Sequence, residues 1–332
     1  ERVLVCDGAM GTMLYQSGIF LNRSFDELNL AKPELVAGVH QAYVRAGADV
    51  IETNTFGANR IKLAHFGIGD QTHAVNLEGA RIARRAAREH VYVAGSLGPL
   101  GVRIEPWGKM GADEAEALFR EQAAGLEEGG VDLFLLETFR DVNELQAAIR
   151  AVRRVSDKPI VAQVTTEEDG NTLDGTPPET FTPALEAAGA SVIGLNCSVG
   201  PAAMLETLER MSRLTSLKLS AQPNAGRPRD VEGRNIYLSS PEYMASYARR
   251  FIHNGVKLVG GCCGTTPDHI KHIRQAVRAM DPERRASARP TAAAPKSAPA
   301  APVMPALATR DKSALARALD DRQFVLAAEL PA

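Results

Sequence analysis

Short apolar runs alternate with longer segments of helical periodicity from residue 3 to residue 280. The apolar runs fall at Val3–Asp7, Asp49–Thr53, Val91–Ser96, Leu133–Glu137, Ile160–Val164, Ser191–Asn196, Lys218–Gln222 and Lys257–Gly260. Each is mostly apolar rather than strictly alternating, and each closes on small or polar residues. That is how a parallel strand covered on both faces reads. Helical periodicity marks Pro33–Ala46, Thr72–Glu89, Ala112–Glu128, Val142–Val155, Pro178–Ala188, Ala202–Arg213, Pro241–Asn254 and Pro267–Met280. Proline opens several of these segments, as at Pro33 and Pro241, and glycine follows others, as at Gly47, Gly129, Gly189 and Gly255; these are the residues helix ends favour. Eight strands alternating with eight helices predict an α/β fold, a closed (β/α)8 TIM barrel over residues 1–281. The alternative is an open doubly wound sheet. Against it, Asp7-Gly-Ala-Met-Gly11 after the first strand lacks the Gly-x-Gly-x-x-Gly spacing.

The pattern changes after Met280. Residues 282–304 read PERRASARPTAAAPKSAPAAPVM, rich in Ala and Pro and without apolar periodicity. Such a segment buries too little surface to offset its ordering entropy, so 282–309 is read as a linker. Lys312–Asp321 then has the pattern of a short amphipathic helix and Gln323–Leu330 that of a strand. Residues 310–332 are therefore expected to open a further domain of a longer polypeptide. Charge narrows the partners: 38 Lys and Arg against 40 Asp and Glu give a net charge of −2 over 332 residues. That balance offers no basic footprint for nucleic acid or an anionic membrane surface. No apolar run reaches the ~18 residues a membrane helix needs, and no signal-peptide pattern is visible. Four cysteines are too few for a disulfide scaffold, which points to a cytoplasmic protein.

In a barrel of this kind the chemistry lies at the C-terminal ends of the strands. Those positions carry Asp7-Gly8, Glu52-Thr-Asn-Thr55, Ser96-Leu-Gly-Pro99, Glu137-Thr-Phe139, Thr165-Thr166, Asn196-Cys197-Ser198, Pro223-Asn-Ala-Gly226 and Gly260-Gly-Cys-Cys-Gly264. A strand-end turn is the plain reading of any one of them. The cysteines say more. Cys197 follows the sixth strand and Cys262-Cys263 the eighth, flanking the seventh around the barrel, whereas Cys6 lies within the first. Glycines on both sides of Cys262-Cys263 free the backbone to turn both thiolates toward one point. Three thiolates on one centre make a soft-ligand zinc site with its fourth position open. Such a centre carries a formal charge of −1 and is a poor generator of hydroxide. It suits deprotonation and alkylation of an incoming thiol. A structural-zinc module and a metal-free barrel aldolase or hydrolase with buried cysteines remain as alternatives.

Taken together, Asp7-Gly-Ala-Met-Gly-Thr12, Glu52-Thr-Asn-Thr-Phe56, Gly194-Leu-Asn-Cys-Ser198, Pro223-Asn-Ala-Gly226 and Gly260-Gly-Cys-Cys-Gly264 resemble the homocysteine S-methyltransferase family. Its members include the homocysteine-binding barrels of cobalamin-dependent methionine synthases and of bifunctional homocysteine S-methyltransferase/methylenetetrahydrofolate reductase proteins. The resemblance implies one Zn²⁺ per chain on Cys197, Cys262 and Cys263, and a homocysteine thiolate at the metal that attacks a methyl donor to give methionine. By the same resemblance, Asp7 and Glu137 are the family's acidic residues, Glu137 receiving the substrate ammonium in a charge-assisted bond. The plain alternative for Glu137 is a capping or salt-bridge role. Backbone amides of Gly8, Ala9 and Met10 would bind the substrate carboxylate as an anion nest, and Asn224 would add a contact. Asn196 and Glu52 are expected to shape the pocket, and Thr53 and Thr55 to satisfy backbone. His40, His73, His269 and His272 are expected on solvated helix faces. The donor is left open among methylcobalamin, S-methylmethionine and a folate-derived methyl. Phe324–Pro331 resembles the opening strand of methylenetetrahydrofolate reductase barrels, which favours the bifunctional arrangement. A homocysteine-binding or structural-zinc module without turnover of its own is the alternative function.

Overall fold

The computed structural model describes residues 2–19, 23–87, 89–231, 234–280 and Asp321. The apolar runs form β1 (Leu4–Val5), β2 (Val50–Glu52), β3 (Tyr92–Leu97), β4 (Leu133–Phe139), β5 (Ile160–Val164), β6 (Val192–Asn196) and β7 (Lys218–Gln222). A small hairpin, β8 (Arg229–Val231) and β9 (Arg234–Ile236), precedes the last barrel strand, β10 (Val256–Val259). The barrel strands are all parallel, in the order β1-β10-β7-β6-β5-β4-β3-β2. The ring closes between β1 and β2. A parallel bridge joins Cys6 to Val50, with Asp49 N–H donating to Val5 O at 2.7 Å and Asp7 N–H to Val50 O at 3.0 Å. The (β/α)8 barrel predicted from the alternation is therefore the observed fold.

Side chains alternate between the two faces of each strand, and this divides the core. Cys6, Val50, Ala94, Leu135, Val161 and Leu258 form a small cluster within the ring. Their neighbours Val5, Ile51, Val93, Phe134, Leu136, Ile160 and Ala162 join the large cluster shared with the helices. One layer of the barrel interior is polar. Gln163 Nε2 donates to Ser220 Oγ at 3.0 Å and to Gln222 Oε1 at 2.7 Å, and Gln222 Nε2 donates to Glu52 Oε1 at 2.5 Å. The missing side chain at Gly194 makes room for this row, because a Cβ there would fall on the hydroxyl and carbonyl of Ser220.

Several expectations are corrected. β1 is shorter than Val3–Asp7, since Cys6 pairs only through its bridge. β4 runs on to Phe139 across a register shift against β5. Helices Met10–Gln16, Leu28–Ala31 and Arg60–Ala64 and the β8–β9 hairpin have no counterpart in the sequence reading; each is too short to show a period. His40 and His269 are buried rather than solvated. His269 hydrogen-bonds Thr266 and the Ser239 carbonyl, whereas His40 is held neutral, its pKa lowered to about 4 by burial. Among the described residues no helix is long and apolar enough to cross a membrane. The proposed linker and the start of a further domain lie, apart from Asp321, outside the described residues.

Candidate active site

The C-terminal strand ends surround one cavity of about 590 Å³. Asp7, Gly8, Ala9, Met10, Glu52, Glu137, Cys197, Cys262 and Cys263 all line it, so the fold unites most of the residues singled out in the sequence. Asn224 does not. It is buried, its N–H donates to Val199 O, and its Oδ1 has no partner among the described residues, but it forms no part of the cavity wall.

The three cysteines arrive from two strands with unusual backbones. Cys197 and Ser198 follow β6 with φ of 61° and 56°, the left-handed region that non-glycine residues enter at a cost. Cys197 N–H donates to Gln222 O, Cys262 N–H to Pro223 O, and Ala225 N–H to Cys263 O, so the β7 end ties the two cysteine loops together. Gly261 leaves space for Thr265, whose hydroxyl donates to Cys262 O at 2.7 Å. The Tyr237 ring packs on Gly264 and its phenol hydrogen-bonds the Cys263 sulfur.

These sulfurs fit a tetrahedral dication. All three lie within 4.8 Å of one another, and Cys197 Sγ to Cys263 Sγ is 3.8 Å. Zinc–sulfur bonds of about 2.3 Å at tetrahedral angles place sulfurs roughly 3.8 Å apart. The thiol electrostatics point the same way. Hydrogen bonds from Cys197 and Cys262 hold Cys263 down to about 3. Cys262 is pushed well above the usual thiol range by its bonds with Cys197 and Cys263 and by burial. A bond from Cys262 favours the Cys197 thiolate, but the bond to Cys263 and burial outweigh it, and Cys197 rises to about 11. A divalent cation held by the three sulfurs would favour their ionised forms.

Two buried carboxylates, Asp7 and Glu137, and the half-buried Glu52 face the same cavity. Glu137 is lifted to about 7, chiefly by burial, although the Ser96 hydroxyl donates to its Oε1 at 2.5 Å. Burial likewise raises Asp7, whose Oδ2 accepts the Glu52 N–H at 3.1 Å. Glu52 rises through burial and then through Glu137 and Asp7, against the hydrogen bond from Gln222. The site is thus short of positive charge, which an ammonium group would supply. Lys62 is the lysine in the cavity wall; its ammonium lies 4.8 Å from the centre of the Phe56 ring.

Some details depart from the sequence reading. The Ala9 amide already donates to Thr265 Oγ1 at 3.2 Å, so it is not free for an anion. Met10 opens the helix Met10–Gln16, whose first-turn amides have no acceptor within the helix. Thr53 and Thr55 do serve backbone, through Ser96 N–H and Ser96 O. The sequence marks Ser96 as a strand-end position without a role, and it gives no place in the site to Gln222 and Tyr237. Gln222, at the end of a strand next to Pro223, carried a positional signal, whereas Tyr237 lay beyond an unrecognised hairpin.

Comparison with known proteins agrees with this geometry. The sequence profile of the homocysteine S-methyltransferase family matches residues 4–277. The chain is 37% identical over 310 residues to the methionine synthase of Mycobacterium tuberculosis (strain ATCC 25618 / H37Rv), covering 88% of this chain and 26% of that protein. It is 37% identical over 295 residues to the methionine synthase of Mycobacterium leprae (strain TN), covering 83% and 24%. The chain thus spans about a quarter of the length of these relatives. Among solved structures, the metallated form of the Escherichia coli homocysteine methyltransferase MmuM superposes with a TM-score of 0.71 at 25% identity, covering 83% of this chain and 96% of that one. The oxidised form of MmuM gives 0.71 at 26% identity with the same coverage. The chain belongs to the homocysteine S-methyltransferase family, a family of methyltransferase enzymes.

Proposed function

We propose that this barrel transfers a methyl group to the thiol of homocysteine, giving methionine, with one Zn²⁺ held by Cys197, Cys262 and Cys263. The observation that carries the reading is the convergence of three cysteine sulfurs and the carboxylates of Asp7, Glu52 and Glu137 on one cavity. Held by Cys197, Cys262 and Cys263, a zinc ion would supply Lewis acidity that favours the thiolate of a bound thiol and leaves it nucleophilic toward carbon. The chain's own residues hold the rest of the substrate. Glu137 and Asp7 receive the ammonium, which replaces the solvation those carboxyls lost on burial. First-turn amides from Met10 onward receive the substrate carboxylate, while Gly8 lets the strand end pack closely against Thr265 and Tyr43. Asn224 contributes from behind the wall, through the conformation of the Pro223–Gly226 turn that anchors both cysteine loops. Phe25, Phe56 and Phe66 also line the cavity, and the exposed rings of Phe56 and Phe66 offer apolar surface against which a donor would pack. Held in one orientation, thiolate and methyl need little further activation.

The donor is methylcobalamin, S-methylmethionine or a folate-derived methyl, and further domains of the same polypeptide present or regenerate it. The quarter-length match to methionine synthases supports that arrangement. It also supports a second reading, a homocysteine-binding or structural-zinc module with no turnover of its own. The zinc-loaded chain, given homocysteine and each donor in turn, should form methionine with at least one, read by mass spectrometry. Binding of homocysteine without methionine from any donor would favour the second reading.

A further inference from the structure

Asn196 ends β6, one residue before Cys197, and is buried. Its side-chain amide touches both halves of the site. Oδ1 accepts the Thr138 N–H at 2.7 Å. Nδ2 lies 2.8 Å from Thr138 Oγ1, 3.2 Å from Glu137 Oε2 and 3.9 Å from Cys262 Sγ. An amide nitrogen carries two protons, so these three acceptors share two donors.

The backbone beneath these contacts is irregular. β4 pairs Leu136 with Ala162 and Phe139 with Val164, so Glu137 and Thr138 together stand against Gln163 alone. That is a bulge, a device that re-aims a side chain. Thr138 sits within it at φ 64°, a conformation a β-branched residue resists. The paired contacts to Thr138 N–H and Oγ1 hold it there. With Ser96 on Oε1 and Asn196 on Oε2, both oxygens of Glu137 are fixed.

We infer that Asn196 is a positioning residue: it locks the β4 bulge so that Glu137 faces the substrate ammonium. The inference rests on the homocysteine reading above. It predicts a defect that depends on the substrate amine, which a merely structural role would not produce. The test compares homocysteine with 4-mercaptobutanoate, which has the same thiol and carboxylate but no amine. Binding of each to the zinc-loaded full chain is measured by calorimetry.

Asn196→Ala should raise the dissociation constant of homocysteine roughly 10- to 100-fold, the scale of a lost hydrogen bond to a charged group, and leave that of 4-mercaptobutanoate unchanged. In a Glu137→Gln background the same substitution should cost homocysteine nothing more. Asn196→Asp keeps an acceptor for the Thr138 N–H but donates no proton, so it should show the same selective loss and serves if the alanine variant does not fold. Equal losses for both thiols, no loss for either, or additive losses with Glu137→Gln would overturn the inference. A wild-type chain that binds both thiols while the variants fail to discriminate overturns only the role of Asn196. A wild-type chain that binds neither thiol overturns the homocysteine reading, and this inference with it.

Discussion

Replacing Glu144 by glutamine should reverse part of the pH dependence of stability. Glu144 stands in the first turn of the helix Val142–Arg153, buried, with Oε1 accepting the Leu100 N–H at 2.7 Å. Burial lifts its carboxyl from 4.5 to about 7, and Asp141 adds to the rise while the Leu100 amide and Lys62 oppose it. The folded chain therefore keeps a proton that the unfolded chain releases between these values. Stability from this group is fully present below about pH 4.5 and is lost as pH rises through about 7. A carboxyl moved that far is worth roughly 3 kcal/mol, most of it lost between pH 5 and pH 8. Glutamine keeps an oxygen for the Leu100 N–H and cannot ionise. Urea unfolding of both proteins at pH 5 and pH 8 should show the variant gaining about 2 to 3 kcal/mol on the wild type across that interval. A constant difference at the two pH values would refute the reasoning.

The sulfur cluster gives further expectations. Cys262→Ala or Cys263→Ser should weaken zinc by more than roughly 100-fold, because even outer-shell partners of metal ligands are worth about 10- to 100-fold; competition with a chromophoric chelator measures it, and full zinc retention would count against the site. Peroxide acting on the zinc-stripped chain should join Cys197 to Cys263, whose sulfurs lie 3.8 Å apart, and block zinc uptake until a reductant is added. Peptide mapping identifies the link. Undiminished zinc uptake after complete thiol oxidation would contradict it.

The barrel was legible because its strands are buried on both faces, so that Leu133–Leu136 or Ile160–Val164 read as unbroken apolar runs. The cysteine centre was legible because strand order alone brings the ends of β6 and β10 to either side of β7. What escaped depends on contacts between distant segments. Nothing local marks Thr138 as left-handed, because the conformation is held by Asn196 from another strand. His40 looked like a surface residue in an amphipathic pattern, yet its helix Pro33–Ala46 packs against Thr72–Ala87 and Pro267–Met280 and leaves it no solvent. The Ala9 amide looked free for an anion because Thr265, its acceptor, lies 256 residues away.

The central claim is that Cys197, Cys262 and Cys263 hold a zinc ion whose remaining position takes the homocysteine sulfur. Zinc-edge X-ray absorption on the purified chain, with and without homocysteine, tests it most directly. The account predicts three sulfur ligands without the amino acid and four with it. A protein that retains no zinc, or a shell of four protein ligands unmoved by homocysteine, would contradict it.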